Sequence, residues 1–449
     1  MNGYDVAVVG GRVAGASTAL LLARAGVRVA LIERSRSGTD TLSTHGLMRA
    51  GVLQLSRWGL LDCVVAAGTP AIGSALFHYA GGRSVPVSIR PSPGVDALYA
   101  PRRYLLDRIL VDAAAEAGVD VLHETTVTAL RHDGDGRVSG VRAVDRGGRP
   151  VELRARMTVG ADGIRSTVAQ LTGAPVVRRG RSRSAILYRY VGGLPTNGYE
   201  WAYGASAAAG LIPTNTGETC VFVSTSPERM RAFRRTGTEH AFSALLAQAA
   251  PALVDPVLAA APSGRIRGWA GTPGYVRRSW GPGWVLVGDA GYFKDPITTH
   301  GMTDALRDAE ILAGKLVESM AGGRPEAVAF ARYQATRDRL SKEHLAATED
   351  VAAYDWDIDE VEALLRRVNS AMTDEVQYLQ TLPSHPRRQR IPPCPPGHSR
   401  PRSAPALTPH RRASDELVPP SGRAAEPCHA AEYPASRPLP PAFSSRALA

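Results

Sequence analysis

The opening stretch, residues 4–34, constrains this chain more than any other. YDVAVVG reads as a strand, GRVAGASTALLLARAG as a glycine turn opening an apolar helix, and VRVALIER as a second strand. One βαβ unit results, and it commits the chain to an α/β fold. The turn Gly10-Gly11-Arg12-Val13-Ala14-Gly15 sits where strand meets helix, the context a dinucleotide-binding turn requires. Backbone N–H groups there are unpaired and the helix dipole is positive, so a pyrophosphate is favoured without side-chain charge. Glu33 ends the second strand 18 residues beyond Gly15, placed to accept hydrogen bonds from an adenosine ribose, and an acid there favours a free 2′-hydroxyl. Arg12 occupies the second glycine position of the usual GxGxxG pattern, where backbone approaches the pyrophosphate, so its side chain must turn away. Taken alone, the turn also suits a nucleotide-free α/β fold.

A helix pattern returns over residues 104–117, stopped by Gly118 and followed by a strand over 119–123 that extends the same sheet. Short alternating runs at 127–130, 138–144 and 151–153 predict antiparallel hairpins in a small satellite sheet. From about residue 176 to 271, strand runs and one helical stretch predict a second, sheet-based domain forming a substrate wall. The strand WVLVGDA then rejoins the first sheet, and THGMTDALRDAEILAGKLVESM predicts a long amphipathic helix, with two more helices at about 325–349 and 358–380. From Pro383 onward 16 of 67 residues are proline and apolar periodicity vanishes. That tail is expected to be disordered, lacking the apolar surface that offsets ordering entropy.

A net charge of +11 raises the question of a polyanionic partner, but ten arginines against four acids put +6 of it in the tail. Only Lys294, Lys315 and Lys342 accompany the arginines, and no helix-turn-helix, zinc-finger or aromatic-basic signature appears, so no nucleic-acid partner is expected. No run of about 18 apolar residues offers a membrane segment, and the start enters a strand pattern without a secretory signal, so a cytoplasmic protein is expected. Cys63, Cys220, Cys394 and Cys428 show neither metal-ligand spacing nor a CxxC pair. That suits a reducing compartment, and no metal is expected.

Two further segments carry chemistry: Val159-Gly160-Ala161-Asp162-Gly163-Ile164-Arg165-Ser166, and Val285-Leu286-Val287-Gly288-Asp289-Ala290 with the proline turn and helix after it. Together with the first turn, in this order and at these separations, they resemble the class A flavoprotein monooxygenases. That is the p-hydroxybenzoate hydroxylase-like superfamily, which includes geranylgeranyl reductases and flavin-dependent halogenases. The resemblance covers about residues 4–382. It implies a Rossmann-type FAD-binding domain over 1–75, 98–175 and 277–325, and a substrate domain over 76–97 and 176–276. C-terminal helices over 326–382 and the tail over 383–449 complete this partition.

By the same resemblance, Asp289 hydrogen-bonds the ribityl part of FAD, and Asp162-Gly163 serves FAD and nicotinamide binding. Arg103, ahead of Leu106 and Leu110, reaches the FAD phosphates, a role that suits a guanidinium. The loop Lys294-Asp295-Pro296-Ile297-Thr298-Thr299-His300-Gly301-Met302-Thr303 opens a helix under the flavin, whose dipole stabilises negative charge on the reduced ring. Thr299, His300 and Thr303 stand where many relatives have Gly, Gln and Asn. The residues assigned to the cofactor are therefore Gly10, Gly11, Gly15, Glu33, Arg34, Arg103, Val127, Asp162, Gly163, Asp289, Pro296, Gly301 and Met302. His45 and His300 are candidates for a catalytic hydrogen bond, although a loop histidine is as readily structural. Tyr188, Tyr190, Trp201 and Tyr203 read as sheet core in preference to pocket lining.

No second GxGxxG and no CxxC pair accompany the flavin signature, which favours a single Rossmann unit. In monooxygenases of that layout NADH or NADPH reduces FAD, O₂ adds at C4a, and the hydroperoxyflavin transfers one oxygen. The halogenase WxWxIP element is missing; Trp201-Ala202-Tyr203-Gly204 is the nearest stretch. The resemblance therefore implies NAD(P)H-dependent hydroxylation of a small aromatic or polyketide-like molecule in secondary metabolism. Two alternatives stand: a geranylgeranyl reductase-like enzyme acting on a prenyl chain, and a flavin-binding protein without turnover, the latter prompted by Arg12 and the tail. The substrate, the choice between NADH and NADPH, and the oligomeric state stay open.

Overall fold

The computed structural model describes residues 3–196 and 198–383; the expected tail beyond Pro383 lies outside them. Tyr4–Val9 is the centre of an eight-stranded sheet. Val29–Ile32 and Pro150–Gly160 flank it in parallel, Asp120–Leu122 extends one side, and Trp284–Leu286 extends the other, edged by the antiparallel Trp280–Gly281. The inner strands are continuous apolar runs because both faces are covered, one by the Val13–Arg24, Arg103–Glu116 and Gly301–Met320 helices, the other by the Thr126–His132 and Val138–Val144 hairpin with the short Thr167–Leu171 helix. Register pairs Val9 with both Ile32 and Gly160, and Gly160 with Leu286. Four strands therefore end level, and the chain leaves them along one carboxyl edge, the place where open α/β sheets bind ligands.

The Val13–Arg24 helix is apolar nearly all round, with Val13 to Ala23 buried, as a helix sandwiched inside a protein must be. It packs between the Gly301–Met320 and Arg103–Glu116 helices.

The expected satellite sheet is not separate. Thr126–His132 and Val138–Val144 form a hairpin, but their partner Pro150–Gly160 is one strand of 11 residues that continues into the main sheet. Its burial alternates at first and is then continuous over Met157 to Gly160, marking passage from a half-exposed ribbon to the sandwiched centre.

The second sheet has seven strands, with Ala185–Gly192, Glu218–Thr225, Ala207–Pro213 and Tyr199–Gly204 in its middle and Ser74–Tyr79 paired parallel to the last of these. One face packs on the Thr238–Ala249 helix through Phe242, Leu245 and Leu246. The other carries Tyr188, Tyr190, Trp201, Tyr203 and Phe222, packed with Met48 and Ile297. Three helices accompany this sheet where one stretch was expected, since Pro227–Phe233 and Val254–Ala259 are too short to show a periodic signal. Val176–Arg179 belongs elsewhere, in a three-stranded sheet with Tyr275–Arg277 and Tyr292–Phe293.

The C-terminal helices run over Glu326–Val351 and Ile358–Gln380, the second started by a reciprocal cap between Asp357 and Glu360. Among the described residues, no helix is long and apolar enough to cross a membrane.

Candidate active site

The glycine turn is shaped by close approach. Gly10 has φ 104°, and a Cβ there would lie 2.5 Å from the Ala161 carbonyl oxygen; one on Gly15 would lie 1.8 Å from the Gly10 carbonyl oxygen. Both positions exclude a side chain. The helix that follows has no side-chain cap and no acid in its first turn, which leaves its N–H groups to an anion. Glu33 is buried beside it, accepting the Gly11 N–H at 2.7 Å and the Ser35 N–H at 2.8 Å, while Arg34 is exposed. Arg12 turns away as required, donating to the Thr39 carbonyl at 2.6 Å and to Asp107 at 2.9 Å. Asp107 also holds Arg103, at 3.1 and 3.2 Å. Gly11, Arg12, Glu33, Thr39, Asp107 and Val111 line a cleft here. The Val127 side chain is buried in the core beside Ile32.

Asp162 follows the next strand along the edge. Its carboxylate accepts from Ser166 Oγ at 2.5 Å and from the Thr167 and Val168 N–H groups at 2.6 and 3.2 Å, so it fastens the start of the Thr167–Leu171 helix. Gly163, at φ 77°, has open space where a Cβ would be. Asp289 leaves the fourth strand on a short 3₁₀ turn. A Cβ on Gly288 would meet Ala14 at 2.8 Å, so the aspartate is drawn against the N-terminal helix. Burial, then the like charge of Asp304, pushes the Asp289 carboxyl up to about 7, with Arg103 and Lys294 opposing. Near neutrality it can both donate and accept.

The proline loop is pinned by Asp295, which accepts from the Ser184 N–H at 2.6 Å and the Ile297 N–H at 3.0 Å. Thr299 sits at φ 50°, strained for a β-branched residue. Its Cγ2 would lie 2.6 Å from a Cβ on Gly46, so only glycine lets the two loops pass. Met48 N–H donates to Thr303 Oγ1 at 3.2 Å and joins them. Gly301 begins the helix, exposed, with open space at its missing Cβ, and no side chain caps the helix. Pro296 is partly buried and Met302 is core. A glycine cradle, a fixed acid, two uncapped helix starts and open space at Gly163 and Gly301 fit FAD.

The two histidines have separate partners. His300 is buried, with Nε2 bonded to Glu375 at 2.6 Å and its ring 4.3 Å from that of His344. With Asp304 and Glu375 it could in principle hold a metal ion. Yet Lys294 lies 2.6 Å from Asp304, and Arg307 lies 3.0 Å from both Asp304 and Glu375, so those carboxylates are already neutralised. His45, at φ 66°, is bonded through Nε2 to the Tyr190 hydroxyl. Sequence reasoning missed Asp107, Asp304, Arg307 and Glu375. Asp107 stands four residues after Arg103 and was within reach of helical spacing; Glu375, on a distant helix, carries no local signal.

A parallel sheet with a glycine cradle at its carboxyl edge defines a dinucleotide-binding fold, and the chain belongs to the FAD binding domain family, which it matches over residues 3–348. It is an FAD-dependent oxidoreductase of the monooxygenase family. It is 28% identical over 376 residues to aklavinone 12-hydroxylase DnrF of Streptomyces peucetius, covering 78% of this chain and 74% of that one. It is also 28% identical over 362 residues to digeranylgeranylglycerophospholipid reductase 2 of Methanopyrus kandleri, covering 76% and 83%. The crystal structure of P. aeruginosa PqsL in complex with 2-aminobenzoylacetate shares the fold, with a TM-score of 0.69 at 23% identity over 83% of this chain and 100% of that chain.

Proposed function

We propose that this protein is an NADH- or NADPH-dependent monooxygenase that hydroxylates a small aromatic, polyketide-like molecule. The observation that carries this is the aromatic, hydroxyl-bearing face of the second sheet. Tyr188, Tyr190, Trp201 and Phe222 share one buried cluster with Met48 and Ile297 of the edge loops, so a flat substrate meets rings on one side and the cofactor edge on the other. The likeness to a hydroxylase of aklavinone agrees with it.

Bound FAD would supply two-electron uptake from a nicotinamide and the activation of O₂. This chain's residues do the rest. Gly10, Gly11, Gly15 and the uncapped helix start would hold the pyrophosphate, with Arg103 beside it; Glu33 would hold the adenosine ribose and Asp289 the ribityl chain. Asp162-Gly163 would border the same edge, with Pro296, Gly301 and Met302 shaping the helix start under the ring. Free N–H groups there favour negative charge on the ring. The packed aromatic face keeps water from the reacting atoms.

A second reading, reduction of a prenyl chain, is supported by the likeness to the Methanopyrus kandleri reductase. Tyrosine hydroxyls, with Arg102 and Arg267 nearby, suit an oxygenated ring better than a hydrocarbon tail. Oxygen uptake decides: hydroxylation consumes one O₂ for each product formed from a polyketide-type aromatic such as 2-hydroxyanthraquinone, and product without O₂ consumption would replace this reading with the reductase.

A further inference from the structure

Tyr190 is the centre of a group that cofactor binding does not use. Its strand lies inside the second sheet, between Glu218–Thr225 and Ala261–Trp269. The Arg102 guanidinium covers its ring at 3.6 Å and is itself held by Asp40 at 3.1 Å and Glu218 at 2.8 Å. The hydroxyl meets His45 Nε2. His45 is fully buried, its backbone in the left-handed region, and its Nδ1 has no hydrogen-bond partner. Arg102 Nε is likewise buried without one. Strained, over-determined side chains of this kind cluster at ligand sites.

The Tyr190 hydroxyl has no acceptor besides His45 Nε2 among the described residues, which favours it as the donor of the pair. Burial raises the Tyr190 phenol far above its ordinary range, so the hydroxyl keeps its proton. Burial and Arg102 press the His45 imidazole down to about 3, so the ring is neutral. With the Tyr190 O–H donating to Nε2, the ring's one hydrogen must sit on Nδ1. An N–H donor is thus left buried without an acceptor, and a second such donor belongs to Arg102, whose guanidinium covers the same phenol. The neighbouring Gly46 abuts Thr299 of the proline loop, so the donor lies where the aromatic wall meets the cofactor edge.

We propose that His45, Tyr190 and Arg102 form a subsite for an acceptor oxygen of the substrate, with His45 Nδ1–H donating to a carbonyl oxygen of an oxygenated aromatic ring. Tyr190 holds the tautomer, and Arg102, fixed by Asp40 and Glu218, holds the phenol ring from its face. The inference rests on the hydroxylase reading. A carbonyl of bound flavin offers the same chemistry as a substrate carbonyl, and the test separates the two sources.

The test titrates the FAD-loaded full chain with 2-hydroxyanthraquinone and with anthracen-2-ol, which lacks the carbonyls, following tryptophan fluorescence. His45→Phe removes the donor. Tyr190→Phe releases Nε2 to take the hydrogen and leaves the loop backbone alone, so it decides the matter if the first variant fails to fold. The expected result is about tenfold weaker binding of the quinone in His45→Phe, a smaller loss in Tyr190→Phe, and anthracenol binding unchanged within about twofold. Equal losses for both probes with a shifted flavin spectrum would assign the donor to the flavin and overturn the subsite. Unchanged binding of both probes would overturn the subsite and leave the hydroxylase reading standing. Failure of either aromatic to bind the wild-type holoenzyme would overturn that reading and the subsite together.

Discussion

Asp289 is the residue on which burial and cofactor binding meet. Its folded value near 7 lies above its ordinary 3.8, so between those values the folded protein holds a proton that the unfolded chain has released. Stability contributed by that proton is present at low pH and is lost as pH rises through this window. Asp289→Asn removes the effect. The variant without FAD is expected to lose fewer degrees of Tm between pH 5 and pH 8 than the wild type, while binding FAD about tenfold more weakly; thermal melts and an FAD titration check both. Gly15→Ala drives a methyl into the Gly10 carbonyl oxygen, and purified protein without flavin absorbance is the expected outcome. Asp289 was legible because an apolar strand run followed by glycine and an acid marks the sheet edge, and Gly15 because it closes the glycine turn between the first strand and its helix. Tyr190 and Glu375 were not, because their partners lie 145 and 75 residues away and strand or helix periodicity reports only that they are buried.

At the scale of elements, the Ile358–Gln380 helix does more than close the fold, since Glu375 delivers an anion to His300 and Arg307 under the proline loop. His300 and Arg307 draw the Glu375 carboxyl below its ordinary 4.5 against the effect of burial. Its contribution to stability is therefore present above that pH and lost as pH falls through the lowered folded value. Glu375→Ala leaves the buried Arg307 guanidinium and the His300 ring short of a partner and is expected to cost about 3–5 kcal/mol, read as a lower urea midpoint with the slope unchanged. The element pattern was largely legible: the βαβ unit, the Gly301–Met320 helix and both C-terminal helices follow from periodicity and stop signals. The Pro150–Gly160 strand was misread as satellite because its first half alternates like a hairpin, and only pairing with Tyr4–Val9 reveals the second half as core.

For the whole molecule, the level ends of four strands gather a cradle, an acid and two helix starts from segments spread over about 300 residues. Such a site binds only the folded chain. FAD at about 100 times its Kd should therefore stabilise the protein by about 2.7 kcal/mol and raise Tm by several degrees, with no such shift in Gly15→Ala. The most direct measurement of the central claim is a visible absorption spectrum of purified protein, followed through anaerobic addition of NADPH or NADH and then admission of oxygen. The account predicts flavin bands that bleach with the nicotinamide and return with oxygen. Protein that carries no flavin and takes up none from added FAD would contradict it.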